Sequence, residues 1–180
     1  MGNGDFRVQR ERSLVYEKAF ALYLQRRGYY ILPTYDYTGL KDDKAPRLKG
    51  ENQSLVVPDL LAAKNGLFSW FEIKLKQQAD LYRKTNVLET GLALRHWKHY
   101  QEVKRLTGTL VNIIFIHEKE QEIRCGELSI LEKYHSHTYK GDRMDRGGTI
   151  FFAYERLPRV GTFADLLVCA RQIQSTKETT

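Results

Sequence analysis

The chain is poor in the residues that would place it in several large protein classes. Only 2 of its 180 residues are cysteine. Cys125 and Cys169 stand alone, without a CxxC pair or the Cys/His spacing of a zinc site, so neither a disulfide framework nor a structural zinc is expected. No apolar run approaches the length that spans a bilayer, and Met1 to Ser13 is polar and charged, unlike a signal peptide. Together these absences point to a cytoplasmic protein with no membrane partner. Repeats and low-complexity tracts are missing too, and the length suits one domain, residues 1–180, with 1–12 and 175–180 loosely ordered. Acidic residues are the minority charge: 22 Asp and Glu face 29 Lys and Arg, a net +7. That surplus suits an anionic partner, nucleic acid being the commonest, although it also serves solubility.

What is present reads as alternating helices and strands. Leu14 to Arg27 has helical periodicity, with Ser13 placed as N-cap and Gly28 as stop. Tyr29 to Pro33 is an extended segment, and Gly39 to Ser54 is a polar loop. Leu55 to Ala63 and Leu67 to Leu75 are strands joined at Asn65-Gly66, the pair that best suits a two-residue hairpin with positive φ at both positions. Gln77 to Gly91 is polar and ambiguous. Leu92 to Leu106 reads as a helix ending at Thr107-Gly108, and Thr109 to His117 as a central strand, apolar on both faces. Glu122 to Leu128 and Thr149 to Tyr154 are further strands, and Phe163 to Gln172 a closing helix. The order describes an α/β or α+β domain with a mixed sheet.

The hairpin brings charge to an apolar place. With Asn65 and Gly66 in the loop, Lys64 faces Leu67, and the same register carried down the strands sets Asp59 opposite Glu72. Lys74 projects to the same face as Glu72. Their neighbours are Val56, Val57, Leu60, Leu61, Phe71 and Ile73. Charges on a buried strand need a partner or a metal, and two facing carboxylates need a cation or a shared proton. Mg²⁺ fits, being held typically by one or two carboxylates plus water and substrate phosphate. Lys74 would then orient or deprotonate the attacking water, or stabilise the transition state. The competing reading is a cross-strand ion cluster on a solvated face.

Val57-Pro58-Asp59 followed on the facing strand by Glu72-Ile73-Lys74 resembles the motif of the PD-(D/E)xK nuclease superfamily, which includes restriction endonucleases and Holliday-junction resolvases. The likeness is best from Leu14 to about His117. It implies a restriction endonuclease-like αβββαβ core, with a central mixed β-sheet flanked by helices. It also implies Asp59 and Glu72 as ligands of Mg²⁺ or Mn²⁺, the Ile73 carbonyl as a further ligand, and Lys74 as catalytic. Glu17 matches the glutamate that many members carry in the first core helix, and it lies in the apolar stripe with Leu14, Phe20, Ala21 and Leu24.

The helix after the hairpin carries Arg95, His96, Lys98, His99 and Gln101 beside Trp97 and Tyr100, and its resemblance to the matching helix of small stand-alone members implies that Tyr100 and Val103 face the core. In related nucleases such a helix lends a polar residue to the site or touches phosphate, and His96 or Gln101 is the candidate; a plain surface helix is the alternative. Lys76, Arg83 and Lys84 follow the catalytic strand and would border a nucleic-acid cleft. Lys41, Lys44, Arg47 and Lys49, with the arginines of Gly141 to Gly148, could grip phosphates from loops. His135 and His137 have no further ligand at a useful spacing. The expected activity is metal-dependent hydrolysis of DNA, structure-specific or weakly sequence-specific, with RNA left open; a junction resolvase or homing enzyme would have to act as a homodimer to cut two strands in concert. A catalytically inactive nucleic-acid-binding protein of the same fold is the alternative, and a structural protein is a third.

Overall fold

The computed structural model describes residues 3–33, 47–51, 53–140 and 147–177. Lys41, Lys44, Arg143 and Arg146 lie outside them.

The helix α1 runs over Asn3–Gln25 and is followed by β1, Tyr30–Pro33. It begins well before Ser13, which therefore lies inside a helix and is not its N-cap; the stretch Arg7 to Arg12 is polar but contains good helix formers, which continue the helix at little cost. Gly28 supplies the expected stop, at φ +81°. The polar segment expected to be all loop contains a small hairpin, β2 (Arg47–Lys49) against β3 (Ser54–Val56). Then come β4 (Leu60–Lys64) and β5 (Leu67–Lys76), turning through Asn65 and Gly66 at φ 52° and 77°, with Lys64 opposite Leu67 and Leu60 opposite Phe71. The ambiguous stretch after β5 is a second hairpin, β6 (Asp80–Tyr82) and β7 (Val87–Ala93). The helix α2 (Leu94–Thr107) ends on Gly108 in the left-handed region and leads into β8, Leu110–His117. The rest comprises β9 (Glu122–Glu127), α3 (Leu128–Lys133), β10 (His135–Tyr139), β11 (Thr149–Ala153), a 3₁₀ turn at Tyr154–Arg156, β12 (Arg159–Thr162) and α4 (Phe163–Lys177). The closing helix thus continues past Gln172, through part of the tail expected to be loose.

Six strands form the main sheet in the order β1-β4-β5-β8-β9-β12. Only β5 and β8 are parallel among its pairs, so the sheet is mixed, as expected. Its strands feed alternate residues to two cores. Ile73, Ile114, Ile116 and Ile123 pack with Phe20, Tyr23 and Leu24 of α1 and Leu166 of α4. Val111, Ile113 and Phe115 pack on the opposite face with Trp97, Tyr100 and Val103 of α2. A second sheet, β10-β11-β7-β6, covers part of that second core with Leu92, Ile150 and Phe152.

Candidate functional site

The site lies just before β4 begins. Proline has no N–H for a ladder, and the pairing of β4 with β5 ends at Leu60 and Phe71, just after Pro58-Asp59. The N–H of Ile73, two residues further along β5, is bonded instead by the Asp59 side chain, whose Oδ2 accepts it at 2.7 Å. Within an antiparallel strand the N–H and C=O of one residue point to the same edge. The Ile73 carbonyl therefore faces the edge where Asp59 sits.

Glu72 and Lys74 alternate with Phe71 and Ile73 and so turn toward the α2 side of the sheet. Glu72 is 2% exposed. Its Oε1 is salt-bridged to the Lys74 ammonium, while its Oε2 is buried without a partner. Asp59 is 4% exposed, and burial, followed by the charge of Glu72, raises its pKa well above the ordinary carboxylate range. Glu17 comes from α1, within the buried stripe shared with Phe20 and Leu24. Burial and the nearby Glu72 charge lift its pKa to about 7, and its Oε2 also lacks a partner. For Lys74, burial pulls downward, but Glu72 and Asp59 outweigh it and hold the ammonium at about 12. Its side chain is 28% exposed, so it reaches the mouth of the site as a permanent cation.

Three carboxylates are buried together around the Lys74 ammonium, and two of their oxygens, Glu17 Oε2 and Glu72 Oε2, have no hydrogen-bond donor. A hard divalent cation fits that donor set. No three His, Cys, Asp or Glu side chains among the described residues gather as a metal cage. The protein share would be Asp59, Glu72 and the Ile73 carbonyl, with water completing the shell, as Mg²⁺ accepts.

The structure brings one residue of α2 into this field. His96 has a buried Nδ1 without a partner; burial, then the Lys74 charge, lowers its pKa to about 4, so the ring is neutral at pH 7. Gln101 instead donates to Glu132 of α3 at 2.8 Å. Arg95 and Lys98 are exposed on the outer side of the helix, and Tyr100 and Val103 are in the core as expected. Lys76, at the end of β5, is half-buried, its pKa lowered by burial and by Lys74. Arg83 and Lys84 are exposed in the β6–β7 turn.

Sequence reasoning missed a set of buried polar groups at the join between the two sheets. His117 is fully buried at the end of β8, its Nε2 3.0 Å from the Thr90 hydroxyl of β7. Glu89 is also buried, with His137 Nδ1 at 3.2 Å and the Ser136 hydroxyl donating to the same oxygen. The signal was a glutamate inside an otherwise apolar strand, VLETGLA, but its partners come from a distant hairpin.

No family model and no curated protein matches the chain. Among solved structures it is similar to a Holliday junction resolvase, Hjc, from the archaeal hyperthermophile Archaeoglobus fulgidus, with a TM-score of 0.52 and 10% identity over 83% of this chain and 90% of that one. It also resembles D212, a nuclease from a fusselovirus, at 12% identity over 98% and 96% of the two chains, but a TM-score of 0.44 is too loose to define a fold. The chain has the restriction endonuclease-like fold: a mixed central sheet flanked by helices. Among the described residues no helix is long and apolar enough to cross a membrane.

Proposed function

We propose that this protein is a metal-dependent nuclease that hydrolyses phosphodiester bonds in DNA. The observation that carries the reading is the convergence of Asp59, Glu72 and Lys74 at the open end of the β4–β5 ladder, with Glu72 Oε2 and, from α1, Glu17 Oε2 buried without a donor. The likeness of the fold to that of an archaeal Holliday junction resolvase supports it.

Asp59, Glu72 and the Ile73 carbonyl would hold Mg²⁺ or Mn²⁺. When bound, such an ion supplies Lewis-acid polarisation of the phosphoryl group and a lowered pKa for water. In the metal-free protein Glu72 and Asp59 outweigh burial and hold Lys74 as a cation, and we assign it that role. It donates hydrogen bonds to the phosphoryl oxygens and offsets the charge they gain as water adds to phosphorus and the ester bond breaks. Glu17 offers an unpartnered oxygen that can accept a hydrogen bond from that water. Asp59 keeps Ile73 in place, fixing the backbone on which Glu72 and Lys74 stand. His96, neutral and beside Lys74, adds a polar wall without further charge.

The +7 net charge and the basic residues Lys76, Arg83, Lys84, Arg95 and Lys98 suit a polyanionic substrate. They are spread over one small domain, which favours recognition of DNA structure or weak sequence preference over extended base reading. We place the protein in the cytoplasm, where its two free thiols remain reduced.

The test is cleavage of duplex, single-stranded, flap and four-way-junction DNA with Mg²⁺, Mn²⁺ or EDTA, using the wild type and Glu72→Ala. Metal-dependent cutting abolished by the substitution is the expected result. DNA binding that ignores metal and substitution, with no cutting of any substrate, would leave a binding protein of the same fold.

A further inference from the structure

The second sheet has a face that the core does not use. Leu92, Ile150 and Phe152 point inward to α2. By alternation the other face carries Tyr82 of β6, Glu89 and Gly91 of β7, His137 of β10 and Phe151 of β11. Three of these form a column of rings. His137 stacks on Tyr82 at 4.1 Å and 14° between planes, and on Phe151 at 4.7 Å and 7°. The sheet is coiled enough for Tyr82 on one edge strand to meet His137 on the other.

The column is held rigidly from below. Glu89, 2% exposed, takes the His137 Nδ1 contact and the Ser136 hydroxyl, fixing the middle ring. Gly91 lets Phe151 lie against the backbone: a Cβ there would stand 2.7 Å from Thr149 Cγ2 and 3.0 Å from the Phe151 ring. The three rings remain only partly covered. Among the described residues no ring or cation lies on the far face of Tyr82. A fixed stack whose end ring, Tyr82, is only partly covered is a surface on which another flat ring can continue.

The charges beside it select the kind of ring. Arg83 and Lys84 follow Tyr82 directly and are exposed, with Asp80 as the acidic residue of the same strand. The sheet is tied to the site, because Thr90 bonds His117, which pairs with Lys76 two residues beyond Lys74. We propose that Tyr82, backed by His137 and Phe151, is a stacking platform for one unpaired base of a DNA strand, with Arg83 and Lys84 on the adjoining phosphates. Aromatic stacking tolerates any base and requires it to be out of a duplex. The platform therefore selects DNA with a single-stranded segment. This rests on the nuclease reading for its biological sense, but not for its test.

Binding of a labelled single-stranded DNA oligonucleotide and of a blunt duplex is measured in EDTA with the full chain. Tyr82→Leu keeps apolar bulk and removes the π-face, while Tyr82→Phe keeps the face. The expected result is about tenfold weaker single-strand binding for Tyr82→Leu, retention in Tyr82→Phe, and less than about a twofold change for the duplex. Circular dichroism and thermal unfolding show that the variants are folded; if Tyr82→Leu is not, Tyr82→Phe against Tyr82→Met gives the same comparison. Equal loss on both DNAs, no loss on either, or no single-strand binding by the wild type overturns the platform. Robust cleavage with an inert Tyr82 sinks the platform and leaves the nuclease. Selective single-strand loss without cleavage of any substrate does the reverse.

Discussion

Replacing Glu17 by glutamine should make the metal-free protein more stable, and more so at high pH. Burial and Glu72 raise the Glu17 pKa from 4.5 to about 7. In the unfolded chain the same carboxyl ionises near 4.5. Between those values the native state holds the proton and the unfolded state has lost it, so stability falls as pH rises through this window. Two and a half pKa units correspond to about 3 kcal/mol in full, of which roughly 2 to 3 kcal/mol falls between pH 5 and pH 8. Glutamine cannot ionise and still fills the space beside Phe20. Urea unfolding in EDTA at both pH values, for wild type and Glu17→Gln, reads this contribution together with the part of the Asp59 shift that the Glu17 charge causes, which acts in the same direction. The wild type should lose about 2 to 3 kcal/mol more than the variant on going from pH 5 to pH 8. Excess Mg²⁺ should shrink that difference by neutralising the carboxylates. If the two proteins show parallel pH dependences, Glu17 is not held in the field of Glu72, and the acidic centre described above is wrong.

Further outcomes follow from the same geometry. Glu72→Ala should lower the cleavage rate by at least about a thousandfold, read as the initial rate on the best DNA substrate, because it removes both a cation ligand and the partner of Lys74. Lys74→Ala should cost about 10²- to 10³-fold in kcat with little change in DNA affinity. Trp97→Ala, which opens the core between α2 and Phe152, should destabilise the fold by about 3 to 5 kcal/mol in denaturant titration. Gly91→Val should weaken the second sheet, detected as faster amide exchange in β7 and β11, since its side chain has no room against Thr149 and Phe151.

The parts of this fold legible in the sequence are those set by neighbours in the chain. Asn65-Gly66 forces a hairpin whose register follows residue by residue, so Leu60 and Phe71 are paired as the sequence requires. The end of α2 is set by Gly108, and β8 declares itself by a mainly β-branched and aromatic run broken only by Asn112 before His117. The alternation along β5 likewise puts Glu72 and Lys74 on one side without reference to any distant residue. Glu17 was legible for a related reason: a carboxylate in an apolar helical stripe is an anomaly that periodicity exposes.

Where the chain's polarity was the only guide, the reading failed. The start of α1 looks like a tail because its residues are charged, yet charge does not oppose a helix. The second sheet was invisible because β7 pairs with β11 and not only with its neighbour β6, a contact across more than half of the remaining chain for which no local pattern exists. Tyr82, Glu89, His137 and Phe151 are ordinary residues in sequence, and only that long-range pairing makes a column of them. The same holds for the chemistry of the site. Sequence placed two carboxylates and a lysine on one hairpin, but not the direction of their pKa shifts. Lys74 could have been a depressed base or a fixed cation. Burial and the two carboxylates act on it in opposite directions, and their balance depends on how the strands pack, which only the tertiary structure decides.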